Sequence, residues 1–107
     1  MEVVCIKKAE LKKNGYRDLE HWLESPNHVY IGRNMVFYVP GATKSKWSNP
    51  YSVKKYGRGG CLIAYENYVR SNPELMAALP ELRGKTLGCW CKPASCHGDI
   101  LVSLTSE

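Results

Sequence analysis

A chain of 107 residues is long enough for one domain with a real core and too short for two. With 44% hydrophobic and 23% charged residues it is excluded from the disordered class, and no apolar run approaches the length of a membrane span. The net charge of +5 is moderately basic, which leaves open a phosphate-bearing or polyanionic partner.

The first run, Val3-Val4-Cys5-Ile6, is β-branched and long enough for one strand. It lacks the basic-then-apolar pattern of a signal peptide, so the expectation is an intracellular, cytoplasmic protein with no membrane partner. Five cysteines, an odd count, then read as thiols, ligands or reactive groups and not as a disulfide framework. After the charged Lys7-Lys8-Ala9-Glu10-Leu11-Lys12-Lys13 comes the turn signal Asn14-Gly15. Leu19, Trp22 and Leu23 then stand at helical i, i+3, i+4 spacing, and Ser25-Pro26-Asn27 ends that helix. His21 falls beside the stripe and reads as a packed or surface histidine.

His28-Val29-Tyr30-Ile31-Gly32 and Met35-Val36-Phe37-Tyr38-Val39 are two strand-like runs around Gly32-Arg33-Asn34, a spacing that predicts a hairpin. Residues 40–60 read as a basic loop. Between Glu24 and Glu66 there is no acidic residue, whereas Arg33, Lys44, Lys46, Lys54, Lys55 and Arg58 lie there among Trp47, Tyr51 and Tyr56. A solvated basic face explains this, and so does a site for a phosphate-bearing ligand or nucleic acid. Trp47-Ser48-Asn49-Pro50-Tyr51 is stiffened by its proline; its aromatic and amide groups suit a base or sugar, or else a lid packed on the core. Gly57-Arg58-Gly59-Gly60 is flexible by composition but lacks the ending of a Walker loop.

Residues 61–70 read as a helix with Leu62, Tyr65 and Val69 on one face. Ser71-Asn72-Pro73 breaks it, and a second helix starts at Pro73 and is interrupted by Pro80. A strand then leads through Leu87, Cys89 and Cys91, which share one face, with Thr86, Gly88 and Trp90 on the other. Lys92-Pro93-Ala94-Ser95 turns the chain, and Cys96-His97-Gly98-Asp99 opens the last helix, with Ile100, Leu101 and Leu104 on its apolar side.

This strand–helix junction gathers the chemistry. Cys89, Cys91, Cys96 and His97 form an S₃N set that a zinc ion accepts, although alternate cysteines and an adjacent Cys-His pair fit a tetrahedron poorly; His21 or His28 could replace His97. Alternatively Cys96, with a thiol pKa lowered at a helix N-terminus, and His97 with Asp99 provide a nucleophile and proton carriers. A third possibility is a pocket that binds a phosphate or carboxylate beyond the end of the strand. Cys5 and Cys61 read as buried small apolar residues.

Leu82-Arg83-Gly84-Lys85, Gly88-Cys89-Trp90-Cys91, Pro93 and Cys96-His97-Gly98-Asp99 with Leu101 resemble the signature of an uncharacterised family of phage, bacterial and large-virus proteins, domain of unknown function 4326. Val29-Tyr30-Ile31-Gly32-Arg33, the block from Trp47 to Tyr51 and the helical region from Tyr68 to Leu79 resemble it in the same order. Against that pattern, residues 34–46 form a longer insertion. The Cys-His part is also similar to a second uncharacterised family with a Cys-His-Arg motif at a strand–helix junction. The resemblance implies an α/β ligand-binding site and no established reaction.

The expectation is therefore a single small α/β domain over residues 1–107, with a short mixed sheet flanked by helices. Its strand–helix junction would bind a nucleotide or other phosphate-bearing ligand and could process it, with Arg33, Trp47, Asn49 and Arg58 as ligand contacts and Cys96, His97 and Asp99 as catalytic candidates. The alternative is a structural zinc module, with zinc as its cofactor, that contacts protein or nucleic acid.

Overall fold

The computed structural model describes residues 1–90 and 96–107. Its centre is a three-stranded sheet in the order β1-β3-β2, with β1 at Glu2–Cys5, β2 at His28–Tyr30 and β3 at Thr86–Cys89. Both pairings are parallel. Glu2 stands opposite Thr86 and Cys5 opposite Cys89, while His28 to Tyr30 pair with Thr86 to Gly88 on the other edge. The last strand in sequence is thus the middle one in space, and the helical segments cross over to reach it.

Both faces of this sheet are covered, as parallel sheets require. On one side α1 (Lys8–Lys13) and α2 (Leu19–Leu23) pack Leu11, Leu19 and Trp22 with Ile6, Tyr30 and Ala42. On the other, α4 (Arg58–Arg70), α5 (Pro73–Ala78) and α6 (His97–Thr105) bury Tyr65, Val69, Leu75, Leu101 and Leu104 against Leu87, Cys89 and Ile31. The period-two alternation of β3 sorts these groups: Leu87 and Cys89 join the second cluster, while Gly88 meets Ile6 and Trp22 of the first. No helix is long and apolar enough, among the described residues, to cross a membrane.

Local chemistry explains several boundaries. Asp18 caps α2 by accepting the His21 N–H at 2.9 Å, and Asn72 caps α5 by accepting from Glu74 and Leu75, with Pro73 in the first turn. Pro80 does not end the helical path, because residues Leu79–Leu82 tighten into a 3₁₀ turn that feeds β3. Asn34 Oδ1 accepts the Val36 N–H at 3.1 Å, which turns the chain immediately after β2.

The expected hairpin does not form, and the sheet is parallel where a mixed one was expected. Val39 N–H instead donates to the Met35 carbonyl at 2.8 Å, and Met35 N–H to the Ala42 carbonyl at 2.8 Å, so the segment closes on itself. Met35 and Val39, four residues apart, both pack on the first core cluster, while Phe37 and Tyr38 remain 90% and 77% exposed. The basic loop also contains more order than its composition suggests. Ser52 caps a short helix α3 (Val53–Tyr56), and Arg58-Gly59-Gly60 is the first turn of α4 and not a flexible loop. Helix α1 had no apolar period to announce it, since only Leu11 is buried.

Gly88 and Gly98 mark close contacts in the two layers. A Cβ on Gly88 would lie 2.7 Å from both Ile6 Cγ2 and Trp22 Cη2, and one on Gly98 would lie 2.8 Å from Val3 Cγ1. Gly88→Ala should therefore overpack the middle strand and destabilise by about 1–3 kcal/mol. Gly59→Ala, which meets nothing within 4 Å, should be neutral or stabilise by up to about 1 kcal/mol. Urea unfolding midpoints at unchanged slope check both; equal effects would contradict the packing argument.

Candidate functional site

Strands β2 and β3 end side by side, and their extensions define one end of the sheet. Ile31 N–H continues the ladder by donating to the Gly88 carbonyl at 3.1 Å, and Ile6 N–H donates to the Cys89 carbonyl at 3.0 Å. Beyond this edge lies a cavity of about 510 Å³. Its walls come from the β2 end (Gly32, Arg33), the β3 end (Cys89, Trp90), the N-terminal turns of α4 and α6 (Arg58, Cys96, His97), and the 49–54 segment.

On the β2 side the Tyr30 hydroxyl donates to the Arg33 carbonyl at 2.6 Å and accepts from Trp90 Nε1 at 2.9 Å. One phenol thus fixes the backbone that carries Arg33 and the indole at the β3 end; burial pushes its pKa up and keeps it protonated. Opposite, Asn49 Oδ1 accepts the Tyr51 N–H at 2.9 Å, and its Nδ2 lies 3.8 Å from Cys61 Sγ. The buried Tyr65 hydroxyl donates to the Trp47 carbonyl at 2.7 Å, and the same ring meets His97 edge-on at 5.0 Å between centroids. Tyr65 therefore braces the loop and the histidine together.

At the floor, Cys96 is the N-cap of α6. Its sulfur accepts the Gly98 N–H at 3.3 Å while its own N–H donates to Asp99 Oδ2 at 3.0 Å, a reciprocal capping box. Cys89 Sγ lies 3.0 Å from Cys96 Sγ. His97 is only 8% exposed, and its Nε2 is 2.6 Å from the Ile31 carbonyl oxygen. A carbonyl only accepts, so Nε2 carries the proton and Nδ1 is the basic nitrogen of the neutral ring.

The expected residues divide into three groups. Arg33, Asn49, Arg58, Cys89, Cys96 and His97 are brought together on one cavity. Trp47 does not line the cavity: it is 3% exposed inside the core, with its carbonyl held by the Tyr65 hydroxyl. Asp99 does not line the cavity; it caps the helix that presents His97. Cys91 lies outside the described residues. Composition alone concealed Tyr30, Tyr65, Lys54 and Cys61, since nothing in their local sequence separates a bracing or lining side chain from a packed or solvated one.

The electrostatics revise the thiol. Hydrogen bonding to the Cys89 sulfur and burial push the Cys96 thiol well up, against the Gly98 and Asp99 N–H groups that pull it down. Cys96 is held protonated, not activated as the helix N-terminus alone would suggest. The zinc set also fits incompletely among the described residues. Two thiolates on one tetrahedral zinc stand about 3.8 Å apart for bonds of about 2.3 Å, whereas these sulfurs are 3.0 Å apart, and His97 Nε2 is committed to a carbonyl. No group of three His, Cys, Asp or Glu side chains among the described residues is arranged to hold a metal. His28 cannot substitute: it begins β2, at the far end of the strand, stacked on Trp22 with Nδ1 2.7 Å from that residue's carbonyl. His21 Nδ1 accepts the Arg17 N–H at 3.1 Å.

Burial lowers the His97 pKa below its ordinary value of 6.5, only partly offset by the Ile31 carbonyl and Asp99. The unfolded chain therefore takes up the proton first as pH falls. The stability tied to neutral His97 is complete above about 6.5 and is lost as pH drops toward and through the folded-state value. Denaturant titrations at pH 7.5, 6.5 and 5.5 should show this decline, and His97→Gln should flatten it; an unchanged slope in the variant would assign the decline to other groups.

The family model described as Domain of unknown function (DUF4326) matches residues 15–107. The uncharacterized protein R718 of Acanthamoeba polyphaga mimivirus is 38% identical over 85 residues, 71% of this chain and 65% of the viral protein. An uncharacterized 12.4 kDa protein in the nrdA-td intergenic region of Enterobacteria phage T4 is 45% identical over 39 residues, 36% of each chain. The chain thus spans less than two thirds of the length of either relative. No solved structure matches it. Because the family match runs through β2, β3 and α6, the elements that build the cavity, the chain belongs to the family described as Domain of unknown function (DUF4326).

Proposed function

We propose that the cavity binds a phosphate-bearing ligand of nucleotide type. The observation that carries this reading is the charge of its wall: Arg33, Lys54 and Arg58 face it, and no carboxylate does among the described lining residues. The position supports it, since ligands of open α/β sheets sit beyond the carboxyl ends of parallel strands. Helix α4 also begins at this cavity with no side-chain cap on its first turn, which favours an anion there. A volume of about 510 Å³ falls within the range of small-molecule sites.

Each group then has a role. Arg33, Lys54 and Arg58 compensate phosphate charge, with the arginines offering paired N–H donors. Tyr51 and Trp90 supply apolar area for a base, and Asn49, held by the Tyr51 N–H, carries a second amide N–H for its edge. His97, kept neutral, offers Nδ1 as an acceptor for a ligand hydroxyl and is the group placed to take a proton if the ligand is processed. Cys96, with its thiol pKa raised, is a weak donor toward this ligand.

Calorimetric titration with a nucleoside and its mono-, di- and triphosphates tests the reading. Phosphorylated members should bind and the nucleoside should not. Arg33→Ala or Arg58→Ala should weaken binding about 10- to 100-fold, the loss of one charged hydrogen bond of about 1.5–3 kcal/mol. Binding indifferent to phosphate would sink it. If the phosphate belongs to a nucleic-acid strand, affinity should instead fall steeply with salt for an oligonucleotide and not for the mononucleotide. Elemental analysis separates the structural-zinc alternative, which requires about one zinc per chain and unfolding on chelation.

A further inference from the structure

Two sulfurs in contact on the floor of a cavity carry a chemistry that ligand binding does not use. Cys89 ends the middle strand and Cys96 caps the last helix, so the sulfurs belong to two rigid elements meeting at one point. Their separation is 3.0 Å, about 1 Å more than the bond of about 2.05 Å in a disulfide. They are 1% and 2% exposed overall, yet both line the cavity, which among the described residues gives a small reagent its way to them.

We propose that Cys89 and Cys96 are a two-electron redox pair, oxidised to an intrachain disulfide by exchange with a low-molecular-weight disulfide that enters the cavity. In the first step one protein sulfur, as its thiolate, attacks the reagent. The reagent S–S bond breaks, a mixed disulfide forms, and one reagent thiolate leaves and takes up a proton. In the second step the other protein thiol gives up its proton and attacks the protein sulfur of the mixed disulfide, expelling the second reagent thiolate, which is protonated in turn. Two protein thiols are oxidised, one reagent disulfide is reduced to two thiols, and the two protons lost by the protein are those gained by the leaving groups. A reagent thiol in excess reverses both steps.

The other cysteines are distinguished by position. Cys61 also lines the cavity, but its sulfur faces the Arg58 carbonyl at 3.4 Å. Cys5 stands opposite Cys89 in the strand register and is the stringent control. The pair does not depend on which ligand fills the cavity, so failure here leaves the phosphate reading intact, and the reverse holds as well.

The test uses the whole reduced protein, treated with chelator and equilibrated without oxygen against mixtures of bis(2-hydroxyethyl) disulfide and 2-mercaptoethanol. Acid quenching, alkylation and peptide mass mapping then locate the disulfide. The expected result is loss of two alkylatable thiols per chain, joined as a Cys89–Cys96 crosslink, restored by dithiothreitol and accompanied by a higher melting temperature. Cys91→Ser should retain the crosslink; Cys89→Ser and Cys96→Ser should lose it and stop at a reagent adduct. Thiols that stay reduced in the most oxidising mixture, a crosslink mapped to Cys5, Cys61 or Cys91, or a stable adduct on the unaltered protein would each overturn the assignment.

Discussion

The middle strand carries the molecule. Four residues, Thr86–Cys89, supply the hydrogen-bonding partners for both other strands, and no other described strand links β1 to β2 within the sheet. Because neighbouring strands lie about 4.8 Å apart and both faces are covered by helices, side chains on β3 have little space to vary. The consequence is visible at Gly88, where Ile6 and Trp22 close over the backbone. Formation of β3 pairs residues more than 80 positions apart, as between Glu2 and Thr86, so the sheet is completed only once nearly the whole chain is in place.

The same strand decides where chemistry sits. Parallel pairing points the carboxyl ends of β2 and β3 the same way, and α6 begins beside them. A cysteine at the strand end and a cysteine at the helix cap, seven positions apart in sequence, are thereby brought into contact. Hydrogen bonds between elements hold the arrangement: Tyr30 joins the two strand ends, Tyr65 joins the loop to the core, and the Ile31 carbonyl accepts the His97 Nε2–H hydrogen bond. The cavity wall mixes basic with apolar side chains, and the hydrogen bonds behind it tie separate elements together.

Much of this was legible in the residues. The β1 run, the α2 stripe, the proline at the start of α5 and the Cys-His-Gly-Asp opening of α6 are local signals whose physics does not depend on distant partners. The errors came where tertiary context decides. Met35 to Val39 have strand-like composition, yet a helical turn places Met35 and Val39 on one core cluster and discards the pairing. Trp47 resembles a stacking residue in sequence, and its place in the core cluster, with the Tyr65 hydroxyl 18 residues away on its carbonyl, exists only in the fold. The protonated state of Cys96 was equally hidden, since helix position alone argues for the thiolate and the opposing Cys89 contact exists only in the fold.

The self-closing segment after β2 has a further implication for how chains of this architecture can differ in length. Met35 N–H meets the Ala42 carbonyl, and Ser45 N–H returns to the Gly32 carbonyl at 3.1 Å, so the excursion leaves and re-enters the body at nearly one place. Met35, Val39 and Ala42 are held on the first core cluster, so it is at the exposed tip, Val36 to Tyr38, that adding residues changes mainly the entropy of closing a loop, about 0.6 kcal/mol for each doubling of its length. The strand end that carries Arg33 is therefore mechanically insulated from the size of the excursion beyond it. Length can change there at little thermodynamic consequence while the cavity keeps its shape.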